Sequence, residues 1–445
     1  MHHLLLDHAL LPDGWARDVR VGIAQGALVS VETDCPSEGE PVAGVALPGM
    51  INAHSHAFQR AFAGLAERRS AGEDSFWTWR DAMYRAAALL TPETMHAIAT
   101  QLYGEMLVAG YTHACEFHYV HHQPDGSPYA PAAAMAQALV AAARDAGIGL
   151  TLLPVLYQTS GFGGRPPRED QRRFLNTVEQ LFEIIQNCGA GRVGLALHSL
   201  RAVPPEALRE AVNRIGPEAP IHIHIAEQVG EVEDCIAWSG RRPVEWLLDE
   251  MPVDARWTLV HATHLTEEET DRIARSGATV ALCPTTEANL GDGLFPLPRY
   301  LAQGGRIAIG SDSHISVDPL EELRWLDYGQ RLATLRRSLS ATPERPHPGA
   351  ELWRRALEGG SASAGRLTGI APGAPADLVI VDPEHPALLA EAGDSLLDTL
   401  VFHGGAEAAI RRVMAQGCWT AAIPAHAAAF AEAARPLRQA LTRPV

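Results

Sequence analysis

The chain has 445 residues, 47% of them hydrophobic and 20% charged, with a formal net charge of -17. That length suggests two or three domains at roughly 150 residues each unless one large barrel takes most of it, and that charge excludes nucleic acid or an anionic membrane surface as the main partner. No pair among the six cysteines has C-x-x-C spacing, the N-terminus lacks the pattern of a signal peptide, and no apolar run nears ~20 residues, so a cytoplasmic protein without disulfides or membrane spans is expected.

Residues 1–46 alternate short apolar runs with turn signals ("LLPDGWARDVRVGIAQGALVSVET"), the pattern of a small β element. From Gly44 onward the rhythm changes to eight strand-like runs: "GVALPGMINAHSH", "GYTHACEFHYV", "GIGLTLLPVLYQ", "RVGLALHSLR", "PIHIHIAEQ", "WTLVHATHL", "TVALCPTTEANL" and "RIAIGSDSHIS". Helix-like segments separate most of them; "TEEETDRIARSG", for example, has acids early and arginines late, as the helix dipole favours. These alternations predict an α/β fold, a (β/α)8 TIM-type barrel over 47–370. Near the end "GAPADLVIVDPEHP" is β-like again, and joins 1–46 in a small β-sandwich domain completed by 371–445, whose tail "IPAHAAAFAEAARPLRQALTR" reads as a closing helix.

Chemistry in such barrels sits at the C-terminal ends of the strands. His54 and His56 end the first predicted strand, His224 the fifth, His261 the sixth, and Asp312 the eighth. His222 shares a strand face with His224, and His264 follows His261; the strand-end rule favours His224 and His261. Neutral imidazoles and a carboxylate suit Zn²⁺, and a catalytic site keeps one position open for a water whose pKa falls to roughly 7. Glu227, three residues after His224, is placed to take that water's proton and deliver one to a leaving nitrogen.

The segments "PGMINAHSH", "HIHIAEQ", "VHATH" and "GSDSH" resemble the metal-dependent amidohydrolase superfamily, and "GAPADLVIVD" resembles the terminal sandwich that accompanies its barrel. Within that superfamily, "HSHAFQRAFAGL", "DSFWTWRDAMYR", "EFHYVHH", "WSGRRPVEWLLDE" and "GSDSHISVDPLEELRWLDYGQR" resemble the formimidoylglutamate deiminase family. The resemblance implies one Zn²⁺ per chain, iron being the alternative, held by His54, His56, His224 and Asp312, with His261 beside the reactive water and Asp312 and His261 assisting its deprotonation. All 36 basic residues are arginine, so the carboxylated lysine that bridges two metals in one common type of amidohydrolase has no counterpart here.

The implied reaction is hydrolysis of N-formimino-L-glutamate to N-formyl-L-glutamate and ammonia. A small dicarboxylate substrate needs cationic clamps, and guanidinium forks match carboxylates at two points, which selects Arg80 in "FWTWRD" and Arg201 in "LHSLR". Arg80 has the competing option of stacking on Trp77 or Trp79. By resemblance, Tyr119 and His198 help to hold the carboxylates and Gln59 lies near the formimino group. A homodimer is compatible with these readings. The rivals are another deaminase on the same scaffold, acting on guanine or a modified adenosine, and a barrel that binds metal without catalysis.

Overall fold

The computed structural model describes residues 2–35, 39–65, 67, 76–389, 391–420 and 426–442. Four strands come first: β1 (His2–Leu11), β2 (Gly14–Ala24), β3 (Ala27–Glu32) and β4 (Glu40–Pro48). After Gly49 the barrel begins, with β5 (Met50–Ser55), β6 (Tyr111–His118), β7 (Gly149–Leu156), β8 (Leu195–Leu197), β9 (Ile221–Ile225), β10 (Trp257–His261), β11 (Thr279–Leu282) and β12 (Arg306–Ile309). Then β13 (Leu378–Val381), β14 (Ile410–Ala415) and β15 (Cys418–Trp419) return to the first group.

The terminal strands form one seven-stranded sheet in the order β15-β14-β13-β4-β1-β2-β3, antiparallel except where β1 runs parallel to β4. It curls back on itself: Leu28 N donates to Ala374 O at 2.8 Å and Gly373 N to Leu28 O at 2.7 Å, so edge strand β3 meets the segment leading into β13. Leu4, Leu6, Val21, Leu28, Leu378 and Ile380 fill the space enclosed. The tail segment forms a helix, Ala427–Thr442, that packs near the turn after β5; residues 423–425 and 443 of the tail lie outside the described residues.

β5 to β12 form an eight-stranded parallel sheet in chain order, each strand hydrogen-bonded to the next. Such strands are covered on both faces, which is why the polar residues of "IHIHI" in β9 are as buried as the isoleucines. The connecting helices carry their own start and stop signals. The second of two helices between β5 and β6, α1 (Phe76–Ala87) and α2 (Pro92–Ala109), begins with a Thr91–Thr94 capping box and Pro92 in its first turn. It ends on Gly110, whose φ of 101° only glycine adopts without strain.

Closure of the barrel falls at the functional end. Asp312 N donates to His54 O at 3.0 Å and His56 N to Asp312 O at 3.2 Å, so the residues that seal β12 to β5 are themselves candidate ligands. A helix, Pro348–Ala364, lies across this seam. A Cβ on its Gly359 would stand 1.8 Å from the Ile307 carbonyl oxygen of β12, and one on Gly360 2.9 Å from Ile51 Cβ of β5. Two adjacent glycines thus let the helix backbone press onto both strands.

Candidate active site

His54 closes β5 from within and His56 follows it; His224 lies on β9, His261 ends β10, and Asp312 follows β12 by three residues. All five are buried. The Nε2 atoms of His54 and His224 are 2.9 Å apart, and Asp312 Oδ1 is 3.5 Å from His54 Nε2 and 3.4 Å from His56 Nε2. Residues separated by up to 258 positions in the chain therefore converge on one point, because parallel strands deliver their ends to one rim.

The donor chemistry fits a divalent cation. His56 Nδ1 donates to Phe117 O at 2.9 Å and His224 Nδ1 to His198 O at 3.0 Å. A carbonyl oxygen only accepts, so both rings carry their proton on Nδ1 and aim an Nε2 lone pair at the convergence point. Burial lowers the pKa of His54, His56 and His224, which keeps these rings neutral, the state in which imidazole ligates a metal. Two overlapping ligand sets share His54: one adds His56 and Asp312, the other His224 and His261.

The backbone here is strained. Ala226, His261, Ala262, Asp312 and His314 all have φ between 42° and 67°, and all lie just where a strand breaks off at this rim. Left-handed conformations of non-glycine residues cost of order 1–3 kcal/mol each and persist where surrounding contacts over-determine them.

Three buried carboxylates that sequence reasoning missed hold the turns in place. Glu116, on β6, accepts Ser55 Oγ at 2.6 Å and the Ala57 N–H at 2.7 Å, gripping the chain on both sides of His56. Burial pushes its carboxyl up to about 7. Glu231 accepts the N–H groups of Ala226 (3.2 Å) and Glu227 (3.1 Å), fixing the turn that presents Glu227. Glu287 lies 3.2 Å from His261 Nδ1 while accepting the Cys283 N–H at 2.9 Å. Each had a faint sequence signal, an acid within a strand or a few residues after a strand end.

His261 Nε2 faces Glu227 Oε1 at 3.7 Å and Asp312 Oδ2 at 3.8 Å. Burial opposes its charge, but Glu227, Glu287 and Asp312 together raise its pKa to about 10. Burial pushes Glu227 up to about 7, against the pull of His261.

One cavity collects the remaining candidates. Gln59, Arg80, Tyr119, His198, Arg201 and Glu227 line it together with His56, His224, His261 and Asp312, while His54 is fully buried. Arg80 stacks on Trp77, its Cζ 4.5 Å from the ring, and Arg201 Cζ is 5.8 Å from the same ring. The Nε of each arginine is buried without a hydrogen-bond partner, and neither arginine has an ion-pair partner among the described residues. Gln59 Nε2 donates to the Tyr119 hydroxyl at 3.0 Å while its Oε1 is a buried acceptor without a donor.

Other histidines stand apart from this cluster. His222 bonds Ser363 O at 2.8 Å. His314 is held by Ser311 Oγ (2.8 Å) and Ser55 Oγ (3.3 Å), and Ser313 Oγ meets Thr286 Oγ1 at 3.0 Å; neither lines the cavity.

Comparison with known proteins agrees with this picture of barrel and rim. The sequence model of the amidohydrolase family matches residues 45–420, and the chain belongs to that family. A model described as formimidoylglutamate deiminase HutF, N-terminal domain, matches residues 1–40. Within the family the chain stands with the formimidoylglutamate deiminases: that of Pseudomonas aeruginosa is 50% identical over 436 residues, 96% of each chain. A crystal structure of an amidohydrolase from Brucella melitensis superposes with a TM-score of 0.93 at 46% identity, covering 98% of this chain and 100% of that one. A 5-methylthioadenosine/S-adenosylhomocysteine deaminase of Haloquadratum walsbyi is 27% identical, over 77% of this chain and 72% of its own. An adenosine deaminase from Xanthomonas campestris, with bound zinc, shares the fold at 22% identity and a TM-score of 0.78, covering 99% of this chain and 98% of that one.

Proposed function

We propose that the protein hydrolyses N-formimino-L-glutamate to N-formyl-L-glutamate and ammonia. The observation that carries this reading is the pair of half-buried guanidiniums, Arg80 and Arg201, in the same cavity as the His/Asp cluster, each with a buried Nε that has no hydrogen-bond partner. Burying cations without counter-ions is costly unless a ligand supplies the negative charge. A substrate with two carboxylates does so.

His54, His56, His224 and Asp312 are the side chains we assign to one zinc ion per chain, with iron as the alternative. When bound, the ion supplies Lewis acidity, bringing the ionisation of a water toward neutral pH. Arg80 and Arg201, with Tyr119 and His198, orient the two carboxylates, and the free Gln59 Oε1 accepts an N–H of the formimino group. Glu227 takes a proton from the attacking water on its carboxylate and passes it to the departing nitrogen, then relays the second proton, from the resulting C–OH, to the same nitrogen as the C–N bond breaks. The carbon gains a C–O bond and loses its C–N bond to ammonia. His261, held by Glu287, stands beside Glu227 and Asp312 and, with Asp312, assists the deprotonation of that water.

Incubating the zinc-loaded protein with N-formimino-L-glutamate, guanine and 5-methylthioadenosine in parallel tests the assignment. The expected result is ammonia only from the first, with N-formyl-L-glutamate as the carbon product. Ammonia from a purine, with none from N-formimino-L-glutamate, would overturn it.

A further inference from the structure

Tyr84, on α1, lines the same cavity and has no role in the account so far. Its hydroxyl accepts an N–H from Gln171 Nε2 at 3.3 Å, and the other N–H of that amide goes to the Tyr157 hydroxyl at 2.7 Å. Gln171 is only 1% exposed. Its amide has one possible orientation, because Oε1 accepts the backbone N–H of Arg168 at 2.7 Å, leaving Nε2 to face both tyrosines.

Both hydroxyls act as acceptors toward Gln171, so neither spends its own proton there. The two hydroxyls share one amide nitrogen as donor, so at most one proton passes between them. The other needs an acceptor elsewhere. Tyr157 packs its ring against His198, with centroids 4.4 Å apart, whereas Tyr84 faces the cavity. Arg80 Cζ is 5.6 Å from the Tyr84 ring centroid. A hydroxyl obliged to donate, beside the Arg80 guanidinium in this cavity, matches what a carboxylate accepts.

We propose that Tyr84 donates a hydrogen bond to one of the two substrate carboxylates, and that Gln171 is a positioning residue that turns this donor into the cavity. The inference rests on the dicarboxylate reading above and extends it. Such a donor selects for the carboxylate, because a substrate lacking it leaves a buried hydroxyl unpaired.

Steady-state kinetics of the zinc-loaded wild type, Tyr84→Phe, Gln171→Glu and the double variant test this. A hydrogen bond to a charged group, made equally in ground and transition states, appears in KM. Tyr84→Phe is expected to raise KM for N-formimino-L-glutamate by roughly tenfold with kcat within about twofold. Gln171→Glu accepts from both hydroxyls and draws their protons away from the cavity, so its KM rises similarly, and the double variant is no worse than Tyr84→Phe. With N-formimino-4-aminobutyrate and N-formimino-L-2-aminobutyrate, each lacking one carboxylate, the Tyr84→Phe penalty disappears for one and persists for the other. An unchanged KM in Tyr84→Phe, a loss confined to kcat, or equal penalties on both analogues overturns the proposal. A wild type that releases no ammonia from N-formimino-L-glutamate overturns the substrate reading as well, whereas an active wild type with an indifferent Tyr84 overturns this inference alone.

Discussion

His56 illustrates how a single side chain is committed to a task. Its ring would titrate freely in water, but burial keeps it neutral, and the Phe117 carbonyl, accepting from Nδ1, leaves the lone pair on Nε2. Glu227 is treated differently: Glu231 holds its backbone, and its carboxyl is buried 3.7 Å from His261 Nε2. If Glu227 moves the proton and does not hold the metal, Glu227→Gln retains its metal but loses roughly 10²–10⁴ in kcat. Metal analysis and turnover on the same sample check this, and near-normal turnover would remove Glu227 from the mechanism. The histidines and Asp312 were legible in the sequence because each interrupts an apolar run at its polar end. Glu231 and Glu287 were not, because an acid early in a helix is usually there for the helix dipole, and its role appears only when the turn it caps is seen. Arg80 does stack on Trp77, and it also lines the cavity.

At the scale of elements, the seam between β12 and β5 ties folding to the site. The hydrogen bonds that close it run through His54, His56 and Asp312, and the helix across it approaches on Gly359 and Gly360. Gly359→Ala places a methyl group against the Ile307 carbonyl, so the helix must shift, at a cost of about 1–3 kcal/mol. A lower midpoint in chemical denaturation measures this; a wild-type midpoint would mean that the seam tolerates a gap. Eight strands were legible because their apolar runs recur between helical segments, even β8, where only Leu195–Leu197 pair as strand within "RVGLALHSLR". The pairing of the terminal strands was not. Alternation shows which face of a strand is buried, but nothing in it chooses β4 as the parallel neighbour of β1.

The whole molecule poses an electrostatic problem, since a chain of charge -17 is assigned a dianionic substrate. At physiological ionic strength the Debye length is about 8 Å, so most of that charge is screened at the site while the guanidiniums lining the cavity are not. Local charge then decides binding, and the absence of lysine places that burden on arginine. No helix among the described residues is long and apolar enough to cross a membrane. The central claim is geometric: side chains from three separated stretches of chain grip one cation in sight of Arg80 and Arg201. Anomalous diffraction from crystals of the protein soaked in zinc tests it most directly. A single peak per chain is expected, within bonding reach of His54, His56, His224 and Asp312. Two peaks at the rim, or one that leaves Asp312 and His56 unligated, would contradict it.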